Sequence, residues 1–394
     1  MARMIAFYNS EVDRFDKFQV GTEKKVREAK VDDFIDNDPK KIKWTRGLKQ
    51  ELAKGRRFSF DPSCLTRGLY RPYSKQWLYF SRQLNEMVLQ MPRFFPSAHL
   101  KNVALGFSSS ESRSSFSVLI TDEVASLHAV DMVGSQYLPL YIYDKAKEED
   151  EESLFTTTGL KSTGCYTRRD GITDAGLAHL QAAYPMPGEG SSITKEDLFY
   201  YIYGLLHSPD YRDRYADNLG KELPRIPAVK PFCDFRAFSK AGRDLAHWHL
   251  NYETVVPYEG VKFAVPKGKS SDRSPADYRV TKMKFAKTRD PVTNKSVNDK
   301  TTVIYNEWIT IRGIPLEAYE YVVNGKPALE WVMERQAVTT DKDSGIVNDA
   351  NLWAIETMNN PRYPLELFLR VITVSLETMK IVRALPSLDE KTEK

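Results

Sequence analysis

One stretch limits the fold more than any other: Ile193-Thr-Lys-Glu-Asp-Leu-Phe-Tyr-Tyr-Ile-Tyr-Gly-Leu-Leu-His-Ser-Pro-Asp-Tyr-Arg212. Thr194 with Asp197 three residues on is a helix N-cap pattern, and Ile193 and Leu198 occupy the two positions of a hydrophobic staple. Leu198, Ile202, Leu205 and Leu206 recur at helical spacing, with Phe199 and Tyr203 widening the stripe. His207-Ser-Pro209 ends the helix, because a residue before proline avoids the α region. Ser208 then caps a second helix with Pro209 in its first position. Tyr211, Tyr215 and Leu219 form its apolar line, and Gly220 closes it. Beyond the extended Leu223-Pro-Arg-Ile-Pro227, a third helix carries Phe235, Phe238, Leu245, Trp248 and Tyr252 near one face.

The regions around this centre read differently. Leu69–Phe80 is dense in aromatics, and its one proline must sit at a bend or a sheet edge. Phe116–Ile120 reads as a short buried strand and Tyr137–Tyr143 as another, with Leu138, Leu140 and Ile142 alternating. Ser108–Ser115 is a polar loop, and 147–152 (Lys-Glu-Glu-Asp-Glu-Glu) is a like-charged loop or linker. A short helix is expected near Ala175–Ala183, and Pro185–Gly190 is a breaker cluster. Later, Thr301–Ile311 reads as one strand, Ala318–Val323 and Ala328–Arg335 as helical, and Pro364–Leu385 as a buried terminal helix. The predicted fold class is therefore mixed α+β. Its parts are a β-rich stretch over 1–150, a loop-rich connector over 151–190, a helical segment over 191–256, and an α+β part over 257–394 ending in the long helix. A length of 394 residues accommodates such subdivision.

Chemistry is sparse. No Gly-x-x-x-x-Gly-Lys-Ser/Thr or Gly-x-Gly-x-x-Gly is present, so neither phosphate-cradling loop is expected. His247 and His249 are two apart and would point to different sides of a helix, so they cannot clamp one metal. Glu28-Ala-Lys30 has the local spacing of a nuclease motif but sits in a charged helical stretch. Asn360-Pro-Arg-Tyr363 lacks the second proline of an amino-methyltransferase tetrapeptide and reads as a turn and helix start. Cys64, Cys165 and Cys233 lie far apart, which argues against a zinc site or a disulfide scaffold and for a reducing cytoplasm. No apolar run of about 18 residues exists for a membrane span, and no signal peptide is expected. These absences shift weight from enzyme to binding module.

The net charge of +4 says little, but its distribution says more. Residues 56–113 hold nine Arg and Lys against three acids, and 260–300 hold eleven basic residues interleaved with aromatics. That pattern fits a polyanion-binding face, and equally a solvated face whose charges sum to little in space.

Read in order, several blocks resemble the C-terminal specificity (target-recognition) domain of type ISP restriction–modification enzymes. They are Phe7-Tyr-Asn9, Ile42-Lys-Trp44, Tyr70-Arg-Pro-Tyr73, Trp77-Leu-Tyr-Phe80, Phe95-Pro96, Phe116–Ile120, Leu127-His128, Pro139-Leu-Tyr141, the 193–212 block, Leu223–Pro227, Tyr319–Gly325, 341–349 and Asn360–Tyr363. The resemblance implies recognition of a short target in duplex DNA. It implies an adenine-methyltransferase module and an ATP-driven helicase–nuclease module as partners, in cis or in trans, in a system of phage defence. ATP, magnesium and S-adenosylmethionine would belong to those modules, and no cofactor or catalytic residue is expected in this chain.

Candidate DNA contacts are two basic residues of the aromatic strand region, which could hold phosphates, and polar or basic residues in loops flanked by strands. They are Arg71 and Lys75; Ser109, Ser110 and Arg113; Lys262, Lys267, Lys269 and Arg273; and Lys284 and Lys287. A different class of function stays open beside this one, a structural domain that docks a nuclease–methyltransferase without touching DNA. Salt-sensitive duplex binding separates the two. A metal-dependent nuclease centred on Glu28-Ala-Lys30 is separated by magnesium-dependent cleavage.

Overall fold

Three helices open the chain, ahead of any strand, in a computed structural model that describes residues 1–18, 23–109, 111–112, 115–145, 161–162, 166–264 and 273–391. Helix α1 (Ala2–Lys17) buries Ile5, Tyr8, Val12 and Phe15, spaced three and four apart as one helical face requires. Tyr8, Val12 and Phe15 form a core with Val31 of α2 (Lys24–Phe34) and with Leu48 and Leu52 of α3 (Arg46–Ala53). Thr45 caps α3 by accepting the Leu48 N–H at 3.2 Å. Glu28-Ala-Lys30 lies on α2. The β-rich part of the first 150 residues begins at Leu65.

The chain forms two compact units that interleave along the sequence. The first comprises Met1–Gly68, Gln76–Leu89 and Val338–Asp349, and the second comprises Leu69–Lys75, Gln90–Ala337 and Ala350–Lys394. Strands β1 (Leu65–Arg71) and β2 (Ser74–Tyr79) form a hairpin. Pro72 sits at its bend, and Tyr73 takes a left-handed φ of 56° there.

In the second unit, after the short α4 (Met91–Phe94), β3 (Ala104–Ser108) lies between β4 (Val118–Thr121) and β6 (Ser135–Pro139). Strand β5 (Val124–Ala125) joins β1. Strand β7 (Tyr141–Lys145) pairs with β9 (Tyr166–Asp170), which also pairs with β8 (Lys161–Ser162). The stretch 137–143 is therefore two strands of different sheets. The Leu140 N–H between them turns aside to the Val103 carbonyl at 2.8 Å. The 147–152 run lies outside the described residues.

Helices α5 (Asp174–Ala182), α6 (Lys195–Leu205), α7 (Pro209–Arg214), α8 (Ala216–Leu219) and α9 (Phe232–Leu250) follow. The capping box of α6 forms as the sequence reads: Asp197 N–H donates to Thr194 Oγ1 at 3.0 Å, and Thr194 N–H to Asp197 Oδ2 at 3.1 Å. Ser208 accepts the Tyr211 N–H, and Pro209 opens α7. Helices α6 and α9 cross backbone to backbone at two glycines. A Cβ on Gly204 would stand 2.1 Å from the Phe238 carbonyl oxygen, and one on Gly242 would stand 1.9 Å from that of Tyr200.

A four-stranded antiparallel sheet follows in the order β10 (Lys262–Ala264), β13 (Thr310–Arg312), β12 (Ser296–Ile304) and β11 (Lys284–Arg289). The single strand read over 301–311 is the end of β12 plus β13. Asn306 Oδ1 accepts the N–H groups of both Trp308 and Ile309 at 2.8 Å and turns the chain. In place of a helix at 318–323, a 3₁₀ turn over Leu316–Tyr319 leads into β14 (Val322–Val323). Strand β14 pairs with β15 (Lys326–Pro327) across Asn324 and Gly325, both left-handed at φ 51° and 68°, the hairpin chemistry of an Asn-Gly turn.

Helix α10 (Ala328–Arg335) ends the long middle stretch. The hairpin of β16 (Val338–Thr340) and β17 (Val347–Asp349) belongs to the first unit. Helix α11 (Ala350–Leu352) runs into a π-helical turn, and Asn360 then accepts the Arg362 N–H just before α12 (Tyr363–Arg383). Helix α12 is buried on nearly every side, including Leu365, Phe368, Val371, Ile372 and Val374. Among the described residues, no helix is long and apolar enough to cross a membrane.

Candidate nucleic-acid interface

The serine loop between β3 and β4 is held at both ends. Ser117 N–H donates to Ser108 Oγ at 3.0 Å and closes the stems. Asn324 N–H donates to Ser117 Oγ at 2.8 Å, so the Asn-Gly turn anchors one side. On the other side, the Ser109 N–H and hydroxyl both donate to Asp131 Oδ2, at 2.9 and 3.1 Å. Asp131 is only 1% exposed and also accepts the Val133 N–H. Ser110 and Arg113 lie outside the described residues.

Beside this loop opens a cleft of about 430 Å³. Ser108, Ser109, Ser112, Ser115 and Phe116 face it, with Arg212, Asp213, Ala216, Leu219, Gly220 and Val322. Arg212 closes the 193–212 block. Its Nε–H donates to the Leu206 carbonyl at 2.8 Å, satisfying an open acceptor at the end of α6. Its guanidinium lies 5.8 Å from the Phe116 ring centre. Burial lowers the guanidinium's pKa from its usual value.

Behind the cleft runs a buried polar chain. The Tyr203 hydroxyl accepts the Ile120 N–H at 3.1 Å and lies 2.5 Å from His249 Nδ1. His249 Nε2 lies 2.9 Å from Thr378 Oγ1. With its oxygen already accepting, Tyr203 donates to Nδ1, which assigns the proton of His249 to Nε2. The chain ties α6, α9, α12 and β4 together. Burial pushes His249 down to about 3. It also holds His207 well below the usual histidine range, with Arg212 and His249 adding to the effect. His247, two residues before His249, is exposed, as the helical spacing requires.

The second basic region is the four-stranded sheet. Lys262 is exposed on one edge strand, and Lys284 and Lys287 are exposed on the other. Lys287 Nζ donates to Asn298 Oδ1 at 2.7 Å across the β11–β12 hairpin, and Arg289 to Asn294 Oδ1 at 3.2 Å near its tip. The hairpin carries a bulge between Phe285 and Ala286. The Arg273 guanidinium lies 6.0 Å from the Phe263 ring. Lys267 and Lys269 lie outside the described residues.

The two candidates in the β1–β2 hairpin differ from these. Arg71 is half-buried, 4.4 Å from the Tyr70 ring, and burial lowers its pKa, with the nearby Arg335 charge acting in the same direction. Lys75 has only 7% of its side chain exposed. Its ammonium stands 3.1 Å from Glu253, 3.4 Å from Glu123 and 3.9 Å from Asp122. Burial alone would lower its pKa, yet Glu253 and the two other carboxylates outweigh that and raise it.

Sequence reasoning did not single out Arg212, Asp131, Ser117 or Asn324 as parts of a site. The one signal for Arg212 is a strong cation at the end of a largely apolar motif. The other three are recognisable only by partners far along the chain.

This architecture is found in restriction–modification enzymes. The chain is similar to a nuclease-deletion mutant of the type ISP enzyme LlaGI in complex with a DNA substrate mimic, at 35% identity and a TM-score of 0.76 over 99% of its length. It is similar to the ATP-dependent type ISP enzyme LlaBIII bound to DNA, at 32% identity and 0.75 over 98%. It is also similar to DrdV in its DNA complex, at 30% identity and 0.72 over 99%. It spans 26%, 22% and 33% of those three chains. Residues 1–367 match the type ISP C-terminal specificity domain, and the chain belongs to that family. No curated protein sequence matches it.

Proposed function

We propose that the chain recognises a short sequence in duplex DNA, as the target-recognition part of a type ISP-like restriction–modification enzyme. The observation that carries this reading is its similarity over almost its whole length to one part of enzymes whose structures contain DNA. The exposed basic hairpin and the anchored serine loop supply the two kinds of contact such reading needs, one for phosphates and one for base edges.

The proposed contacts are Arg71, Ser109, Ser110, Arg113, Lys262, Lys267, Lys269, Arg273, Lys284 and Lys287. Lys75 leaves the set, because three carboxylates already hold its buried charge. In this reading ATP, magnesium and S-adenosylmethionine serve methyltransferase and helicase–nuclease modules outside this chain, and the setting is the cytoplasm.

Selection of bound duplexes from a randomised library by the purified chain tests the reading, and enrichment of one short motif is the expected result. The variant Lys284→Ala/Lys287→Ala should bind more weakly to every duplex and show a salt dependence shallower by about one to two units of slope. Failure of the parent chain to bind duplex even at low salt would overturn the reading.

A further inference from the structure

Among the described residues, Arg212 is a cation without a counterion. Of its five N–H donors, the one on Nε is used, and the two terminal amino groups have no hydrogen-bond partner among the described residues. No carboxylate pairs with it there. Asp213, exposed on the same wall of the cleft, forms no ion pair with it. The Asp131 carboxylate is taken by three donors from Ser109 and Val133. A guanidinium with open N–H donors on a cleft wall is a place where an anion can dock.

The surroundings define that anion. The Nε bond to Leu206 fixes the plane of the fork and leaves its outer edge for a ligand. Serines border the opposite wall, and the Ser115 side chain is exposed there. A planar fork with hydroxyl groups matches tetrahedral oxyanions. The volume of about 430 Å³ exceeds what a lone phosphate fills and leaves room for the sugar or ester attached to it.

We propose that this cleft is a binding site for one phosphate group, anchored by Arg212. That the phosphate belongs to a DNA backbone rests on the reading above, whereas the anion site itself does not.

The test uses the purified full chain and two probes, inorganic phosphate followed by its phosphorus NMR signal and a labelled duplex followed by anisotropy. Arg212→Gln removes the fork. Ala216→Glu, at an exposed position on the cleft wall, adds a repelling carboxylate and leaves the Leu206 bond intact. Thermal melts confirm that both are folded. Each should weaken duplex binding about ten- to a hundredfold and reduce the salt slope by about one. Asp213→Asn should tighten it.

If both variants lose inorganic phosphate but keep full duplex binding, the site stands and its ligand is a free phosphate ester. If the parent binds no duplex but binds phosphate in an Arg212-dependent way, the site stands and the DNA reading fails. If both folded variants bind both probes as the parent does, the proposal is overturned.

Discussion

Helices α6 and α9 meet so closely at Gly204 and Gly242 that one methyl group is a severe perturbation. The substitution Gly242→Ala would place a carbon 1.9 Å from the Tyr200 carbonyl oxygen, against backbone that cannot rotate away. Restoring ordinary contact requires the helices to part by roughly an ångström or more. A gap of about that size forfeits about a half of each dispersion contact it opens. The contacts at stake include the Tyr201–Phe235 ring pair, 4.7 Å between centres, and the fully buried Phe238.

Against this stands the helix propensity of alanine over glycine, about 1 kcal/mol. Overpacking alone costs about 1–3 kcal/mol, and displacement of two backbones lies at or beyond the upper end. The expected net loss is about 2 kcal/mol or more, read from a fall in the urea midpoint. Gly220→Ala is the control. Its added Cβ would meet nothing nearer than 3.9 Å, so its unfolding free energy should stay within about 0.5 kcal/mol of the parent's. A Gly242→Ala midpoint equal to that of Gly220→Ala would refute the claim that the crossing admits no side chain.

Three further outcomes are expected. The unfolded state protonates His249 near pH 6.5, while the folded state does so only near 3, so unfolding between these values takes up a proton. Stability contributed by burying neutral His249 is complete above about pH 6.5 and falls by about 1.4 kcal/mol per unit as the pH drops toward 3; melts across pH 7.5 to 4.5 that show no fall would contradict this. Thr194→Ala breaks the α6 capping box and should cost about 1 kcal/mol of unfolding free energy, read from urea denaturation. Lys75→Met leaves Asp122, Glu123 and Glu253 without their shared cation, at a cost of about 3 kcal/mol, and should leave the salt slope of duplex binding unchanged; a shallower slope would return Lys75 to the phosphate contacts.

The parts legible in the sequence are those whose signals are local. Thr194 and Asp197 cap α6, and Ser208 and Pro209 start α7, because each pattern is complete within four residues. Helix α10 follows from a local helical pattern, and α12 from a long run that is apolar nearly all round. The spacing of Ile5, Tyr8, Val12 and Phe15 carries the same kind of signal for α1, although the aromatic strands that follow dominate the impression of that region.

Breaks set by distant partners are not legible. Nothing near Leu140 announces that its N–H will leave for Val103. The site divides in the same way. Lys284 and Lys287 are exposed, but they lie on strand β11 itself and not in the loop that the sequence suggests. Lys75 looks the same in the sequence but meets Asp122, Glu123 and Glu253, 47 or more positions away along the chain. Arg212 is distinguished by having no paired carboxylate among the described residues, which only the three-dimensional structure reveals.

The interleaving of the two units restricts how such a chain can be inherited in pieces. The first unit is completed by Val338–Asp349, after the long middle stretch of the second and before its last stretch, Ala350–Lys394. A single genetic crossover between two homologues anywhere in 90–337 therefore joins the helices of one parent to the β16–β17 hairpin of the other. Both units become chimeras at once. Exchange of the serine loop needs two crossovers, one on each side of Ser108–Ser117. Because the stem bonds of that loop run to Asp131 and Asn324, the incoming segment meets anchors that stayed with the recipient. Gene conversion over a short tract conserves this framework, whereas simple reciprocal exchange breaks it.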